Sequence, residues 1–262
     1  MFEDFLDRYA QSNAIRDVNT YYKMLFGIIT MIVSLVSSSP VIPLIIFGLV
    51  SFVILFKAKI PAKFYLKLVT VPLTFALITF VFMAVWFGTG SYIYTFGIFN
   101  LGVTVSGFNL GFLVFSRMMG GFACLAFIGL TTPLPEIFSV LETFKFPEVL
   151  LEITMLMYRY VFVSINETIN MYHAQQTRLG YSSFKKSYNS MGMLLANIFI
   201  RTWLIGEKSF VSMRSRCYDG TFNTMDENDN IRSIKVKNLL MLTLFESILI
   251  IGVYFTAGFR VF

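Results

Sequence analysis

Two arginines, Arg178 and Arg216, stand out in the most polar stretch of a strongly apolar chain. Each lies where a long helical pattern ends, in the tripeptides Thr177-Arg178-Leu179 and Ser215-Arg216-Cys217. A guanidinium carries five donors in a fixed planar fork, which suits carboxylates and exposed carbonyl oxygens on a protein surface. A cation at a helix C-terminus is also favourable by itself, by about 0.3 to 1 kcal/mol. That effect accounts well for one such arginine, whereas a matched pair favours docking onto two copies of one partner.

The composition is that of an integral membrane protein. Of 262 residues, 56% are hydrophobic, 14% are charged and 30 are Phe, whereas soluble domains average about 25% charged residues. The net charge of +6 comes from basic residues in loops beside apolar runs, where charge sets membrane orientation. We therefore predict an all-α, polytopic protein of the cell membrane, in contact with lipid and without nucleic acid as a partner.

Five apolar runs predict five transmembrane helices. Four belong to an N-terminal transmembrane region, residues 1–130, and one lies near the other end; the runs are 24–38, 41–56, 68–87, 108–130 and 238–257. The first two are separated only by Ser37-Ser38-Ser39-Pro40, which predicts a tight hairpin. The uncharged segment 88–107 is rich in Gly and aromatic residues. It is expected to be an interfacial or partly embedded loop.

Charge in the loops predicts the orientation of the chain. The loop 57–67 carries four lysines and no acid, whereas the loops 37–43 and 88–107 carry no charge. Cytoplasmic loops collect Lys and Arg, so we expect the lysine loop on the cytoplasmic side. The N-terminus and the region 131–237 are then cytoplasmic, and the short tail lies outside.

The region 131–220 is predicted to form three helices. Proline is favourable in the first turn of a helix, which predicts a short helix over Pro135–Lys145 and a long one from about Pro147. A second long helix follows the break at Leu179-Gly180-Tyr181. Both long helices carry a narrow polar stripe on an otherwise apolar surface. Helices that lie along the cytoplasmic face of the membrane, packed on the spans and on a partner, explain both properties; polar-striped spans that line a pore are the alternative.

These segments together resemble the transmembrane coupling component of energy-coupling factor transporters, most closely the cobalt type. The resemblance is carried by Leu130–Tyr181 and Glu207–Gly220 together with the span pattern. In that family, two alanine-arginine-glycine tripeptides at the ends of cytoplasmic coupling helices dock into two ATP-binding-cassette ATPase subunits. The resemblance implies this role for the two tripeptides around Arg178 and Arg216. The flanking residues differ here: Thr177 and Ser215 stand where the family has alanine, and Leu179 and Cys217 stand where it has glycine.

The resemblance further implies a non-catalytic coupling subunit of an ATP-driven uptake transporter for cobalt or nickel, linked to cobalamin biosynthesis, with a substrate-binding membrane subunit as a third partner. Transport of a vitamin, or a stand-alone channel or secondary carrier, are the alternatives. The sequence lacks a G-x-x-x-x-G-K-[ST] phosphate loop, so ATP hydrolysis is not expected. We expect no bound metal or cofactor, since His173 is the only histidine and no set of nitrogen and oxygen ligands surrounds it in sequence.

Two charged residues fall within predicted spans, Arg117 in the fourth and Glu246 in the fifth. Charges inside a membrane usually pair or line a functional path. Counted from the predicted outer ends, the two residues lie at depths of about 14 and 16 Å. We predict that they pair with each other; the alternative is that each side chain extends to the membrane interface or bonds to neighbouring polar groups.

Overall fold

The computed structural model describes residues 9–87 except 12 and 17, residues 92–96, residues 101–218 except 145, and residues 236–256. The main elements are helical, and the predicted all-α class is confirmed. In chain order they are α1 Thr20–Val36, α2 Val41–Phe52 with a π-helical turn Val53–Lys57, α3 Ala62–Trp86, β1 Tyr92–Phe96, β2 Leu101–Thr104, α4 Val105–Thr131, α5 Leu134–Thr143, α6 Glu148–Thr177, α7 Phe184–Ser215 and α8 Val236–Thr256.

Every predicted apolar run coincides with a helix, and the chain is a polytopic membrane protein. Four helical segments in the described residues are long and apolar enough to cross a membrane: Ala62–Trp86, Val105–Thr131, Val149–Thr177 and Leu239–Thr256. The helices predicted to form the first hairpin, α1 and α2, are apolar but shorter. The third of the four segments belongs to α6, so length and composition alone do not distinguish a span from a helix on the membrane surface. The cytoplasmic position of α6 stays a prediction.

A short β-ribbon departs from the helical pattern. The strands β1 and β2 pair antiparallel, from Tyr92 opposite Thr104 to Phe96 opposite Leu101, with one irregularity between Tyr92 and Tyr94. They lie in the segment 88–107, for which the sequence predicted an interfacial or partly embedded loop. The pairing has a physical reason, since β-branched and aromatic residues such as Tyr92, Ile93 and Val103 favour extended pleated backbone.

The chain divides into two compact units, residues 1–140 with 228–262 and residues 141–227. The first unit contains the predicted spans and most of α5. Within it, Thr20 on α1 donates a hydrogen bond of 2.5 Å to the carboxylate of Glu136 on α5. The short helix predicted over Pro135–Lys145 is thus present as α5, and as far as Val140 it groups with the spans.

Helix α4 lies at the centre of the first unit, against α1, α2 and α3. Its buried positions are dominated by small residues, which allow helix backbones to approach closely inside a membrane. A Cβ on Gly120 would lie 2.5 Å from Oγ of Ser34 and 2.8 Å from the carbonyl oxygen of Pro43, and one on Gly111 would lie 3.0 Å from the carbonyl oxygen of Phe80. The close packing of α4 therefore depends on glycine at these two positions.

The C-terminal end of α4 is capped by the polar side chains of Lys23 on α1 and of Asn13 before α1. Lys23 is 2% exposed, and its ammonium donates to the carbonyl oxygens of Arg16 and Thr131, each over 3.3 Å. The amide of Asn13 donates to the carbonyl oxygen of Thr131 over 3.2 Å. Because carbonyls in the last turn of a helix lack partners within it and carry partial negative charge, a buried cation is favourable here.

The second unit contains an antiparallel hairpin of α6 and α7. Four side-chain contacts demonstrate the antiparallel arrangement, because residues later in α6 contact residues earlier in α7 or in the turn after it. They are Glu152 with Tyr218, Tyr160 with Ser209, Ser164 with Thr202, and Glu167 with Arg201. The ion pair between Glu167 and Arg201 has a shortest N–O distance of 3.0 Å. Polar bonds thus connect the part of α6 from Glu152 to Glu167 to the second half of α7 and the turn after it.

Candidate docking sites at two helix ends

The two arginines occupy the same structural position. Arg178 ends α6 with φ −87° and ψ 14°, and Arg216 ends α7 with φ −99° and ψ 20°. The next residue at each end, Leu179 or Cys217, has φ 57°. Both arginines are therefore the last residue before a left-handed backbone step, as predicted from their location at two helix ends.

Both helix ends are closed by the same pair of backbone hydrogen bonds. At the first end, the amide of Leu179 donates to Gln176 over 3.0 Å, and the amide of Gly180 donates to Gln175 over 2.9 Å. At the second end, the equivalent amide donors are Cys217 and Tyr218, which donate to Arg214 and Met213 over 3.1 Å each. This is the Schellman motif, which satisfies carbonyls that a helix otherwise leaves without partners.

The residue after each arginine is conformationally unusual. Only Lys59, Leu179 and Cys217 have positive φ among the described residues other than glycine. A Cβ in this region crowds the following carbonyl and costs about 1 to 2 kcal/mol, a penalty that glycine avoids. Two of the four departures from the family tripeptides, Leu179 and Cys217, thus fall on the two positions where the backbone favours glycine.

Both arginine side chains are free to meet a partner. Arg178 and Arg216 are exposed, and neither side chain makes a hydrogen bond or an ion pair to another residue that the structure describes. The adjacent hydroxyls are occupied, since Thr177 donates to the carbonyl oxygen of Ala174 over 3.0 Å and Ser215 to that of Val211 over 2.9 Å. Of the six predicted docking residues, the two hydroxyl side chains are bonded to their own helices.

The turn that follows Arg178 is held by its neighbours. The Ser190 hydroxyl donates to the carbonyl oxygen of Gly180 over 2.9 Å. Tyr181 donates from its hydroxyl to the side-chain carbonyl of Gln175 over 2.7 Å, and its ring centroid lies 4.9 Å from that of Tyr172. The break predicted at Leu179-Gly180-Tyr181 is therefore a fixed turn. The sequence did not indicate the role of Ser190, because it becomes apparent only once the helices fold back on each other.

The end of α7 is fixed in a similar way. Tyr218, the second residue after Arg216, donates from its hydroxyl to the carboxylate of Glu152 over 3.1 Å. Glu152 lies near the beginning of α6. Arg216 is thus anchored at the end of the hairpin opposite to Arg178, and the 32 residues of α7 between them correspond to about 48 Å of helix.

The predicted ion pair between Arg117 and Glu246 is wrong. Arg117 donates from Nε and Nη2 to the carbonyl oxygen of Ser37, over 3.1 and 2.8 Å. Glu246 is 4% exposed, and its Oε1 lies 3.1 Å from Oγ1 of Thr30. Thr30 lies on α1 and Ser37 directly follows it, so these two partners are about 10 Å apart along the helix axis. Depths counted from sequence do not capture this separation.

The described residues offer no clustered metal ligands. No group of three or more His, Cys, Asp or Glu side chains lies together within the described ranges. His173 is exposed on α6, with its ring centroid 5.9 Å from that of Tyr172. Cys124 is a buried free thiol on α4, and Cys217 is an exposed one.

The fold and the two helix ends define a polytopic, helical membrane protein that presents two equivalent arginines on a helical hairpin. The chain belongs to the CbiQ family of cobalt transport proteins, whose family model matches residues 11–227. It is 40% identical over 261 residues to an uncharacterized protein of Methanocaldococcus jannaschii, covering 99% of this chain and 96% of that protein.

Other relatives have names that refer to cobalt. A protein of Methanocorpusculum labreanum, named as a fused cobalt transport protein CbiMQ, is 38% identical over 232 residues, which are 87% of this chain and 39% of that protein. The cobalt transport protein CbiQ of Salmonella typhimurium is 25% identical over 127 residues, covering 48% of this chain and 56% of the relative. The resemblance noted from sequence is thus confirmed at the level of the family.

Proposed function

We propose that this chain is the non-catalytic transmembrane coupling subunit of an ATP-driven cobalt uptake transporter. It transmits movements of two separate ATP-binding-cassette ATPase subunits to a substrate-binding membrane subunit. The observation that carries the proposal is the pair of exposed arginines with the same cap geometry, at opposite ends of one helical hairpin. The N-terminus and the hairpin are cytoplasmic in this account, as the lysine loop 57–67 predicts.

The equal geometry of the two ends supports two copies of one partner. The backbone from three residues before each arginine to two residues after it makes the same hydrogen bonds. The side chains of Arg178 and Arg216 therefore extend from backbone with the same hydrogen-bonding pattern. A groove that binds Arg178 through carboxylate or carbonyl acceptors would accept Arg216 in the same manner.

The separation of the two ends supports one ATPase subunit at each end. About 48 Å of α7 lies between Arg178 and Arg216, whereas a small domain is about 30 Å across. One small partner domain bound at the first end therefore does not reach the second. When ATP binding draws two ATPase subunits together, each of them would pull on its own end of the hairpin.

Contacts within the hairpin explain how movement would be transmitted. Three polar contacts between the helices, at Tyr160, Ser164 and Glu167 of α6, connect it to α7 between the two docking ends. A displacement of one end is thus carried by both helices. Helix α7 exposes large apolar side chains, among them Phe199 at 69% and Trp203 at 67%. Such a surface suits a membrane subunit that rests on the hairpin.

Cobalt is favoured as the transported ion because the named relatives are cobalt transport proteins. Nickel is the alternative ion, and a vitamin is a further alternative. Substrate selection would belong to the separate membrane subunit. A stand-alone channel or carrier is less well supported, because Arg117 and Glu246 bond to α1 and its C-cap residue rather than to each other.

Co-expression with the ATPase and substrate-binding subunits tests the proposal. We expect the tagged chain to co-purify with ATPase subunits and to support ATP-dependent cobalt uptake. Arg178→Ala together with Arg216→Ala should abolish both properties. Arg214→Ala is a matched control, since it removes an exposed cation from the last turn of α7 and leaves the cap residue unchanged. Full assembly and full uptake in the double variant would refute the proposal.

A further inference from the structure

Leu179 adopts a backbone conformation that its side chain disfavours. The helix cap does not require this side chain, because its hydrogen bonds are all made by the backbone. Its φ is 57°, and the two bonds that close the cap come from the backbone amides of Leu179 and Gly180. Glycine would make the same bonds without the steric penalty of a Cβ. The isobutyl group is instead 69% exposed, beside the exposed Arg178.

The residues on either side of the Arg178-Leu179 pair offer no free side chain to a partner. The Thr177 hydroxyl is bonded to its own helix at Ala174, and Gly180 has no side chain. At this end of the hairpin, the tripeptide therefore presents one cation and one apolar group at adjacent positions. The equivalent position at the other end is Cys217, which is also exposed and carries a smaller side chain.

We propose that the Leu179 side chain makes an apolar contact of its own in docking, in which it packs against an apolar surface next to the acceptor groups that bind Arg178. This inference rests on the proposed coupling function, and it adds that the two docking ends are unequal. Burial of a leucine side chain contributes far more to binding than burial of a cysteine side chain of smaller apolar area. The end at Arg178 therefore binds its ATPase subunit more tightly than the end at Arg216.

The test measures ATPase affinity at one end at a time, with the chain in lipid nanodiscs. In an Arg216→Ala background only the first end is available, and Arg178→Ala isolates the second. In the first background, Leu179→Gly and Leu179→Asn should each weaken ATPase binding about tenfold, by loss of most of one buried leucine. Leu179→Met keeps an apolar side chain and should retain affinity. In the second background, Cys217→Gly should change affinity less than about threefold.

Thermal stability separates a docking role from a structural one. Both glycine variants should raise the melting temperature of the free chain by about 2 to 4 °C, because they relieve a strained residue. The inference predicts that Leu179→Gly stabilises the chain and still loses ATPase affinity. It is overturned if Leu179→Gly and Leu179→Asn bind as tightly as the parent while Arg178→Ala abolishes binding at this end. If Arg178→Ala alone leaves binding at this end intact, the proposed docking itself fails, and the role of Leu179 fails with it.

Discussion

The Ser190 hydroxyl donates a hydrogen bond of 2.9 Å to the carbonyl oxygen of Gly180, and this bond ties the turn after Arg178 to the first turns of α7. The amide of Gly180 is bonded at the same time to Gln175 of α6, also over 2.9 Å. Gly180 is thus connected to both long helices. The turn that presents Arg178 is fixed from both sides.

A substitution at Gly180 should disturb this turn. A Cβ at this position would lie 2.7 Å from Oγ of Ser190 and 2.9 Å from the carbonyl oxygen of Gln175. We expect Gly180→Ala to lower the free energy of unfolding by about 1 to 3 kcal/mol, as overpacking usually does, measured by thermal unfolding in detergent. Gly192→Ala and Gly206→Ala are matched controls on α7, because a Cβ there meets nothing within 4 Å; they should be neutral or stabilising. Equal stability of all three variants would contradict the structure of the turn.

A double-mutant cycle tests the separate bonding of Arg117 and Glu246. Because Arg117 bonds to Ser37 and Glu246 to Thr30, the effects of Arg117→Met and Glu246→Met on stability should be additive, within about 0.5 kcal/mol. Thr30→Val combined with Glu246→Met should be non-additive, since those two side chains are in contact. The readout is the unfolding free energy of each variant in detergent. A coupling above about 1 kcal/mol between Arg117 and Glu246 would restore the ion pair that the sequence predicted.

The two cysteines provide a test of orientation. Cys217 is exposed and Cys124 is buried, so a membrane-impermeant maleimide should label only Cys217 in the folded chain. If the second docking end is cytoplasmic, labelling should occur in inside-out vesicles and be absent in right-side-out vesicles. Cys217→Ser should abolish the signal in both preparations. Labelling in sealed right-side-out vesicles, and none in inside-out vesicles, would place this end of the hairpin outside the cell.

Several features of the fold could be predicted because they depend on local sequence. The apolar runs gave the helices α1 to α4 and α8, and Pro147 marks the residue before α6. The positions of Arg178 and Arg216 at helix ends also followed from the pattern. These features depend on burial periodicity and on backbone chemistry within a few residues, both of which the sequence contains directly.

Features that depend on how helices pack could not be predicted. Glu246 and Arg117 are both lone charges in apolar runs, and only the packing against α1 assigns them to different partners. From the sequence alone, Lys23 would be taken for an exposed cation at the edge of a span. In the structure it is buried, and it donates to the carbonyl oxygen of Thr131, which is 108 residues away. The positive φ of Leu179 has no signature in the sequence, because leucine rarely adopts it.

The central claim is that Arg178 and Arg216 each hold one ATPase subunit, and native mass spectrometry of the purified complex tests it most directly. The parent chain should carry two ATPase copies. Arg178→Ala and Arg216→Ala should each carry one copy, the double variant none, and the Arg214→Ala control two. Two ATPase copies on the double variant, or loss of both copies in each single variant with intact folding, would contradict independent docking at the two helix ends.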